Sequence, residues 1–191
     1  YKGVDFTMNK RFSNRWQGSI AATIQTNPNY SPEFTYTNPT GVSFVDGKNT
    51  GTRYLIKATA AYQVAWGIMV AGNLNINDGA ARILSINGPG SVYGGVTATG
   101  TASPISYATL NYQDAGTTRL KPVKLMDLGA QKVINVRGGK NRLKLMVDAF
   151  NIFNVNTIVS YSGNNRSLAS FSSPLTIVPP RVFRIGANIT F

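Results

Sequence analysis

Asp127 and Asp148 are the residues of this sequence best placed to do chemistry: two carboxylates on neighbouring stretches of alternating polar and apolar residues, a pair that could serve as general acid and base. Lys144 and Arg184 are the cations at hand to neutralise them. The rest of the catalytic vocabulary is missing. With no Cys and no His in 191 residues, thiol chemistry, disulfides, the usual zinc sites and every histidine-based triad are excluded, so no metal and no cofactor is expected. Ion pairing on a polar surface accounts for the two aspartates more simply than catalysis does. The chain reads as a non-enzyme.

Charge points elsewhere only at first sight. The 19 Lys and Arg outnumber the 7 Asp and Glu, a net charge of +12, yet they form no run with stacking aromatics of the kind that nucleic-acid binding needs. They fall in short connections (Lys10, Arg11, Arg15, Arg137, Lys140) or in long polar stretches (Lys48, Arg82, Arg119, Lys121, Arg166). Nucleic acid is not an expected partner.

The elements that must position these residues share one pattern. Seven segments alternate with period 2: Val4–Met8, Trp16–Thr26, Arg53–Val64, Ile68–Asn77, about Val123–Val133, Arg142–Phe150 and Arg181–Phe191. Each has one apolar parity, such as Tyr54, Ile56, Ala58, Ala60 and Tyr62 in the third. The expected fold class is all-β. On the apolar parity the charges are Lys2, Lys124, Lys132 and Arg181, all expected at strand ends, whereas Asp5, Lys57, Asp127, Lys144, Asp148 and Arg184 sit well inside the segments on the other parity. That is the distribution of a transmembrane β-strand, with a lipid face free of midplane charge and a polar lumen face. Arg53, Asn73 and Asn75 join Lys57, Asp127, Lys144, Asp148 and Arg184 as expected lumen-facing polar residues.

Connection lengths argue the same way. Long stretches of about 25, 45 and 27 residues (Asn27–Gly51, Asp78–Pro122, Asn154–Pro180) alternate strictly with short ones near Lys10–Arg15, Ala65–Gly67 and Ile134–Asn141. Outer-membrane barrels have long extracellular loops at one rim and short periplasmic turns at the other. Trp16, Tyr62 and Trp66 fall beside the short turns and Phe183 near the opposite ends, as membrane-interface aromatics do. No run of some 18 apolar residues is present, so no transmembrane helix is expected. No signal peptide is visible at Tyr1, which leaves a cytosolic chain or a piece of a longer one.

The ending "PRVFRIGANITF" resembles the terminal strand of bacterial outer-membrane barrels, and the resemblance implies that Phe191, with Ile189, Ala187 and Ile185, forms the signal read by the barrel-assembly machinery. "LKLMVDAFNIFN", at Leu143–Asn154, resembles the penultimate strand of TonB-dependent receptors, with Asp148, Phe150, Asn151, Phe153 and Asn154 matching a "DxFNxFN"-like ending. "LKPVKLMDLGAQKV" and "YQVAWGIMVAGNLN" resemble strands of the Oar-like branch of that family, which bears a carboxypeptidase-regulatory domain. The family implies a C-terminal wall segment, residues 1–191 forming part of a single outer-membrane β-barrel domain. The whole barrel has roughly 22 strands, with the plug and TonB box lying elsewhere.

It further implies a place in the outer membrane of a Gram-negative bacterium, in contact with lipid, and uptake of a large solute such as a siderophore or oligosaccharide driven by the TonB complex through the plug. Two other readings stay open. A smaller outer-membrane channel or adhesin would share the alternation, and a soluble carbohydrate-binding β-sandwich would need further strands in the long connections to cover the apolar parity.

Overall fold

A computed structural model describes residues 1–26, 28–29, 48–49, 51–89, 107–111, 116–136 and 141–191. Seven strands make one antiparallel sheet: β1 (Lys2–Ser13), β2 (Trp16–Thr26), β3 (Tyr54–Gln63), β4 (Ile68–Asn77), β5 (Val123–Val136), β6 (Asn141–Phe150) and β7 (Val182–Thr190). Their order in the sheet is their order in the chain, so the sheet is a meander, and its edge strands β1 and β7 are not paired with each other. It is an open sheet and not a closed barrel.

Register places every apolar parity on the same face. Ile20 is opposite Ala58, Ala58 opposite Leu74, and Leu74 opposite Met126. On the other side of the sheet Asn9, Ser19, Thr59, Asn73 and Asp127 form a polar row across five strands. Because side chains alternate strictly, a slip of one residue in any strand would break both patterns.

One row crosses the entire sheet: Lys10, Gly18, Ala60, Gly72, Leu128, Ala149 and Phe183. Toward the long connections, β1 continues eight residues past this row to Lys2 and β7 only one, to Val182; toward the short turns, β1 continues three residues to Ser13 and β7 seven, to Thr190. The rims are thus displaced by 8 − 1 = 7 and 7 − 3 = 4 residues over six inter-strand steps. With about 3.3 Å per residue and about 4.8 Å per step, the strands lean by roughly 25–40°. Barrel strands lean by about 35–45°.

The two described short connections are tight. Asn14 and Arg15 join β1 to β2 with φ of 52° and 66°, the two positive values that a type I′ turn requires. Three residues of β1 (Lys10 to Ser13) span what two residues of β2 span (Trp16 to Gly18), a bulge that sharpens the local twist. Lys10 closes the turn: its Nζ donates to Ser13 Oγ (2.6 Å) and lies 4.2 Å from the centre of the Trp16 ring. Between β3 and β4 a single 3₁₀ turn, Ala65–Gly67, holds Trp66 at φ 62° and Gly67 at φ 71°. The third, at 137–140, lies outside the described residues.

Two expectations need correction. Lys132 is not at a strand end, because β5 runs on to Val136. It faces Ile68, the first residue of β4, so the lean of the strands still puts it level with the neighbouring short turn. Extension of β1 to Ser13 also brings Lys10, opposite Gly18, onto the apolar parity. The long connections, moreover, contain short ladders: Pro28–Asn29 with Lys48–Asn49, Ala81–Arg82 with Thr118–Arg119, Ser85–Pro89 with Tyr107–Asn111, and Ile158–Tyr161 with Pro174–Ile177.

None of these ladders joins the main sheet. No residue of the seven strands is buried, and the only buried hydrophobic side chains among the described residues, Leu84 and Val178, belong to the long connections. A second sheet over the apolar face, which a sandwich needs, is absent among the described residues. Replacing Arg15 with Gly removes the penalty of a left-handed non-glycine residue, and should stabilise the β1–β2 hairpin by about 1 kcal/mol. The check is the unfolding midpoint of the variant in detergent; an unchanged or lower midpoint would contradict the turn geometry.

Candidate functional site

The polar face carries the residues expected to face a lumen, and the structure gathers them in two places. At mid-sheet a shallow depression of about 380 Å³ is lined by Thr59, Asn73, Asp127, Asp148, Phe150 and Arg184, among others. Asp148 and Arg184 are directly opposite on β6 and β7, with Arg184 Nε and Nη2 donating to Asp148 Oδ2 at 3.0 and 2.8 Å. The guanidinium also lies 5.2 Å from the centre of the Phe150 ring. Gly129 makes room for the pair, since a Cβ there would come within 2.7 Å of Asp148 Oδ1.

Asp127 has a different partner. Its Oδ1 accepts the backbone N–H of Asn151 at 2.8 Å. With Asp148 engaged by Arg184 and Asp127 by the backbone, both carboxylates have a structural role, and acid–base chemistry is not needed to explain them. Of the other expected lumen residues, Lys57 is opposite Ala21 and Asn75, whereas Lys144 lies apart, opposite Val133 and Asn188.

Asn151 itself was legible only as part of "FNIFN". It is 5% exposed, takes the left-handed conformation (φ 49°), and clamps the start and end of the last long connection: Nδ2 donates to the carbonyls of Val155 (2.9 Å) and Pro179 (2.8 Å), and Oδ1 accepts the N–H of Val155 (2.8 Å). Asn154, also left-handed (φ 51°), accepts the N–H of Arg181 at 3.0 Å. Asn tolerates that conformation better than most residues, and its short amide reaches the backbone. The motif is a hinge post for the loop.

The second gathering is at the rim of the long connections. Arg53 lies just before β3 and grips Asp78 with both arms, Nε to Oδ2 and Nη2 to Oδ1, each at 2.9 Å, and its own N–H adds a third bond. Arg119 Nη2 reaches the same Oδ2 at 2.8 Å and the Gly51 carbonyl at 2.7 Å. The Asp78 side chain is only 1% exposed. Its pKa is held down to about 2, first by the hydrogen bond from the Arg53 side chain, with the Arg53 N–H and the Arg119 charge helping against desolvation; Arg53 is raised in return. Asp78 and Arg119, which sequence pattern did not single out, tie together the ends of two long connections.

Farther out, Arg82 links the connection after β4 to the one after β6, donating to Asn164 Oδ1 (3.0 Å), Ser172 Oγ (3.2 Å) and the Gly163 carbonyl (3.0 Å), with Tyr161 stacked 4.3 Å away. A cavity of about 630 Å³ lined by Arg82, Arg119, Lys121 and Tyr161 opens beside it.

The expected assembly residues Ile185, Ala187, Ile189 and Phe191 lie on the exposed apolar face or just past the end of β7, with Phe191 92% exposed. Of the interface aromatics, Trp16 and Tyr62 are cross-strand neighbours, Trp66 projects from the 3₁₀ turn, and Phe183 lies at the far rim near Arg181. Among the described residues there is no cluster of three acidic, Cys or His side chains fit to hold a metal, and no helix long and apolar enough to cross a membrane. No protein-family model matches the sequence, and no curated protein is significantly similar to it.

The rim cluster gives a pH prediction. The folded-state pKa of Asp78 lies below the usual carboxylate value of about 3.9, so its contribution is complete above about pH 4 and is lost as pH falls through about 2. Because Arg53 is half exposed, that contribution is at most about 2 kcal/mol. Asp78→Asn should lower stability at pH 7 by that order and flatten the acid limb of the unfolding curve between pH 4 and 2. An acid limb that keeps its slope in the variant would mean that other groups carry it.

Proposed function

We propose that this chain is a wall segment of a TonB-dependent outer-membrane transporter that takes up a large solute, such as a siderophore or an oligosaccharide. The observation that carries the reading is the continuous, uncovered apolar face, seven strands wide, backed by a polar face. Soluble monomers rarely expose apolar patches beyond a few hundred Å². Ile185 at 83%, Val4 at 70% and Ile24 at 64% exposure have no protein cover, and lipid is the environment in which such a face is at its lowest free energy. The lean of the strands, the alternation of long and short connections, and the aromatics beside the short turns all support the same placement.

In this reading the apolar face meets lipid and the polar face lines the lumen. Asp148 and Arg184 neutralise each other there, while Lys57 and Lys144 face neutral cross-strand neighbours on the same wall. The long connections, braced by Asn151, Asp78 and Arg82, present solute-facing surface outside the cell. The chain performs no covalent chemistry and needs no cofactor; the plug and TonB supply the energy-coupled opening. The edge strands are completed by other strands of the barrel, and Phe191 directs assembly.

Parity supplies the test. Ala58→Arg, Leu145→Arg and Ile185→Arg place a charge on the lipid face and should each cost about 2–4 kcal/mol of stability in the bilayer, whereas Thr59→Arg and Asn188→Arg, on the lumen face, should be mild. Equal damage from both sets would indicate a two-sided soluble core. Retention of the solubilised protein on the immobilised periplasmic domain of TonB separates the transporter from a channel or adhesin, and absence of binding would favour the latter.

The terminal aromatic is tested on its own. Phe191→Asp and Phe191→Leu should both reduce the amount of protein recovered in the outer membrane. Leucine keeps most of the apolar area, so normal levels of both variants would overturn the assembly role.

A further inference from the structure

Acidic residues are absent from one end of the sheet. Around the short turns, in Met8–Gly18, Ala58–Gly72, Gly129–Met146 and Gly186–Phe191, the sequence has no Asp or Glu, whereas all seven acidic residues lie elsewhere. The described cations of this end are Lys10, Arg11, Arg15, Lys132, Arg142 and Lys144. The described acids of the strands are all toward the other end and occupied: Asp5 by Thr23 Oγ1 (2.6 Å), Asp127 by the Asn151 N–H and Asp148 by Arg184. Charge has been sorted along the strands.

Two of these cations are on the apolar face itself. Lys10 is opposite Gly18, in the same row as Ala60, and Lys132 is opposite Ile68 and Leu145. Lys10 Nζ contacts only neutral acceptors, the Ser13 hydroxyl and the Arg11, Ser13 and Trp16 carbonyls, while resting on the Trp16 ring. Trp16 and Tyr62 are paired beside it. Trp66 projects from the 3₁₀ turn, which packs against β5, with a Cβ on Gly67 lying 3.9 Å from the Val133 carbonyl, next to Lys132. A long basic side chain at the edge of an apolar face extends its charge toward the headgroup level, and indole and phenol rings favour the same depth.

We propose that this edge is a docking surface for anionic phospholipid headgroups, with Lys10, Arg15 and Lys132 contacting the phosphates and Trp16, Tyr62 and Trp66 seated beside the glycerol region. The inference rests on the membrane placement argued above. Among the described residues no carboxylate forms an ion pair with Lys10, Arg15 or Lys132, and the apolar face on which Lys10 and Lys132 stand would meet lipid at this level. The counter-charge therefore comes from the lipid, and a leaflet containing acidic headgroups is preferred over a zwitterionic one. The surface also fixes the depth of the short-turn rim, since moving it inward would bury Lys10 and Lys132 in hydrocarbon.

The test uses the protein solubilised from its membrane in neutral detergent and exposed to equal amounts of phosphatidylglycerol and phosphatidylcholine, with bound lipid counted by native mass spectrometry. Phosphatidylglycerol should be retained about tenfold over phosphatidylcholine in low salt, and the preference should collapse in 1 M NaCl, where the screening length falls to about 3 Å. The variant K10Q/R15Q/K132Q should lose it, while K48Q/K121Q, altered in the long connections, should keep it. Equal retention of the two lipids by the unaltered protein, or a preference that survives K10Q/R15Q/K132Q, would overturn the proposal. If the triple variant does not assemble, the salt dependence of the unaltered protein decides: a preference unchanged in 1 M NaCl rejects the headgroup surface. Recovery of the protein as a soluble species without detergent is a different failure, that of the membrane placement.

Discussion

Register is the constraint on which the rest of this structure depends. Each strand taken singly has only a parity, and parity becomes a face only if six successive pairings keep it in phase. They do so from Val4 opposite Ile24 to Val147 opposite Ile185. The tight Asn14–Arg15 turn fixes one pairing, and its adjacent bulge absorbs the extra residue without throwing Met8, opposite Ile20, out of phase. A conventional core does not supply this constraint, because among the described residues the sheet has no second layer.

With no buried residue in the seven strands, the sheet is held by backbone ladders, cross-strand neighbours and braces at the loop rim. The Asp148–Arg184 pair lies against Gly129, where a Cβ would press on Asp148 Oδ1 and shift the carboxylate. Asn151 donates to two backbone carbonyls and accepts one N–H, and Asp78 accepts from backbone and guanidinium donors, which anchors the ends of the connections. These polar anchors act where the described residues of the long connections bury only two hydrophobic side chains, Leu84 and Val178.

Much of this was legible in the sequence because period-2 alternation is a local signal. The alternation over Ile68–Asn77 and over Trp16–Thr26 has the bounds that the structure gives these strands. Sequence and structure differ where geometry is non-local. Lys132 lies at the end of the alternating segment in the sequence, about Val123–Val133, but the lean of the strands lets β5 outrun its neighbour. The short ladders of the long connections have two to five residues per strand, too few for alternation to rise above background. Asp78 and Arg119 could not be linked from sequence, since 41 residues separate them and only folding reveals that they share an oxygen. The left-handed Asn151 had a clue in its Asn–hydrophobic–hydrophobic–Asn spacing, but nothing in that spacing names Val155 and Pro179 as its acceptors.

A meander whose strand order equals its chain order also has a built-in schedule. Closing a two-residue turn such as Asn14–Arg15 costs far less chain entropy than closing a connection ten or twenty times longer, a difference of about 2–3 kcal/mol from chain statistics alone. Hairpins β1–β2 and β3–β4 are therefore the cheap units, and docking one hairpin onto the next is the costly step. In a sheet of this order each hairpin presents an unpaired edge to its successor. The Asp78–Arg119 and Asn151 braces each join the two ends of a long connection, where they offset part of the entropy that its closure consumes.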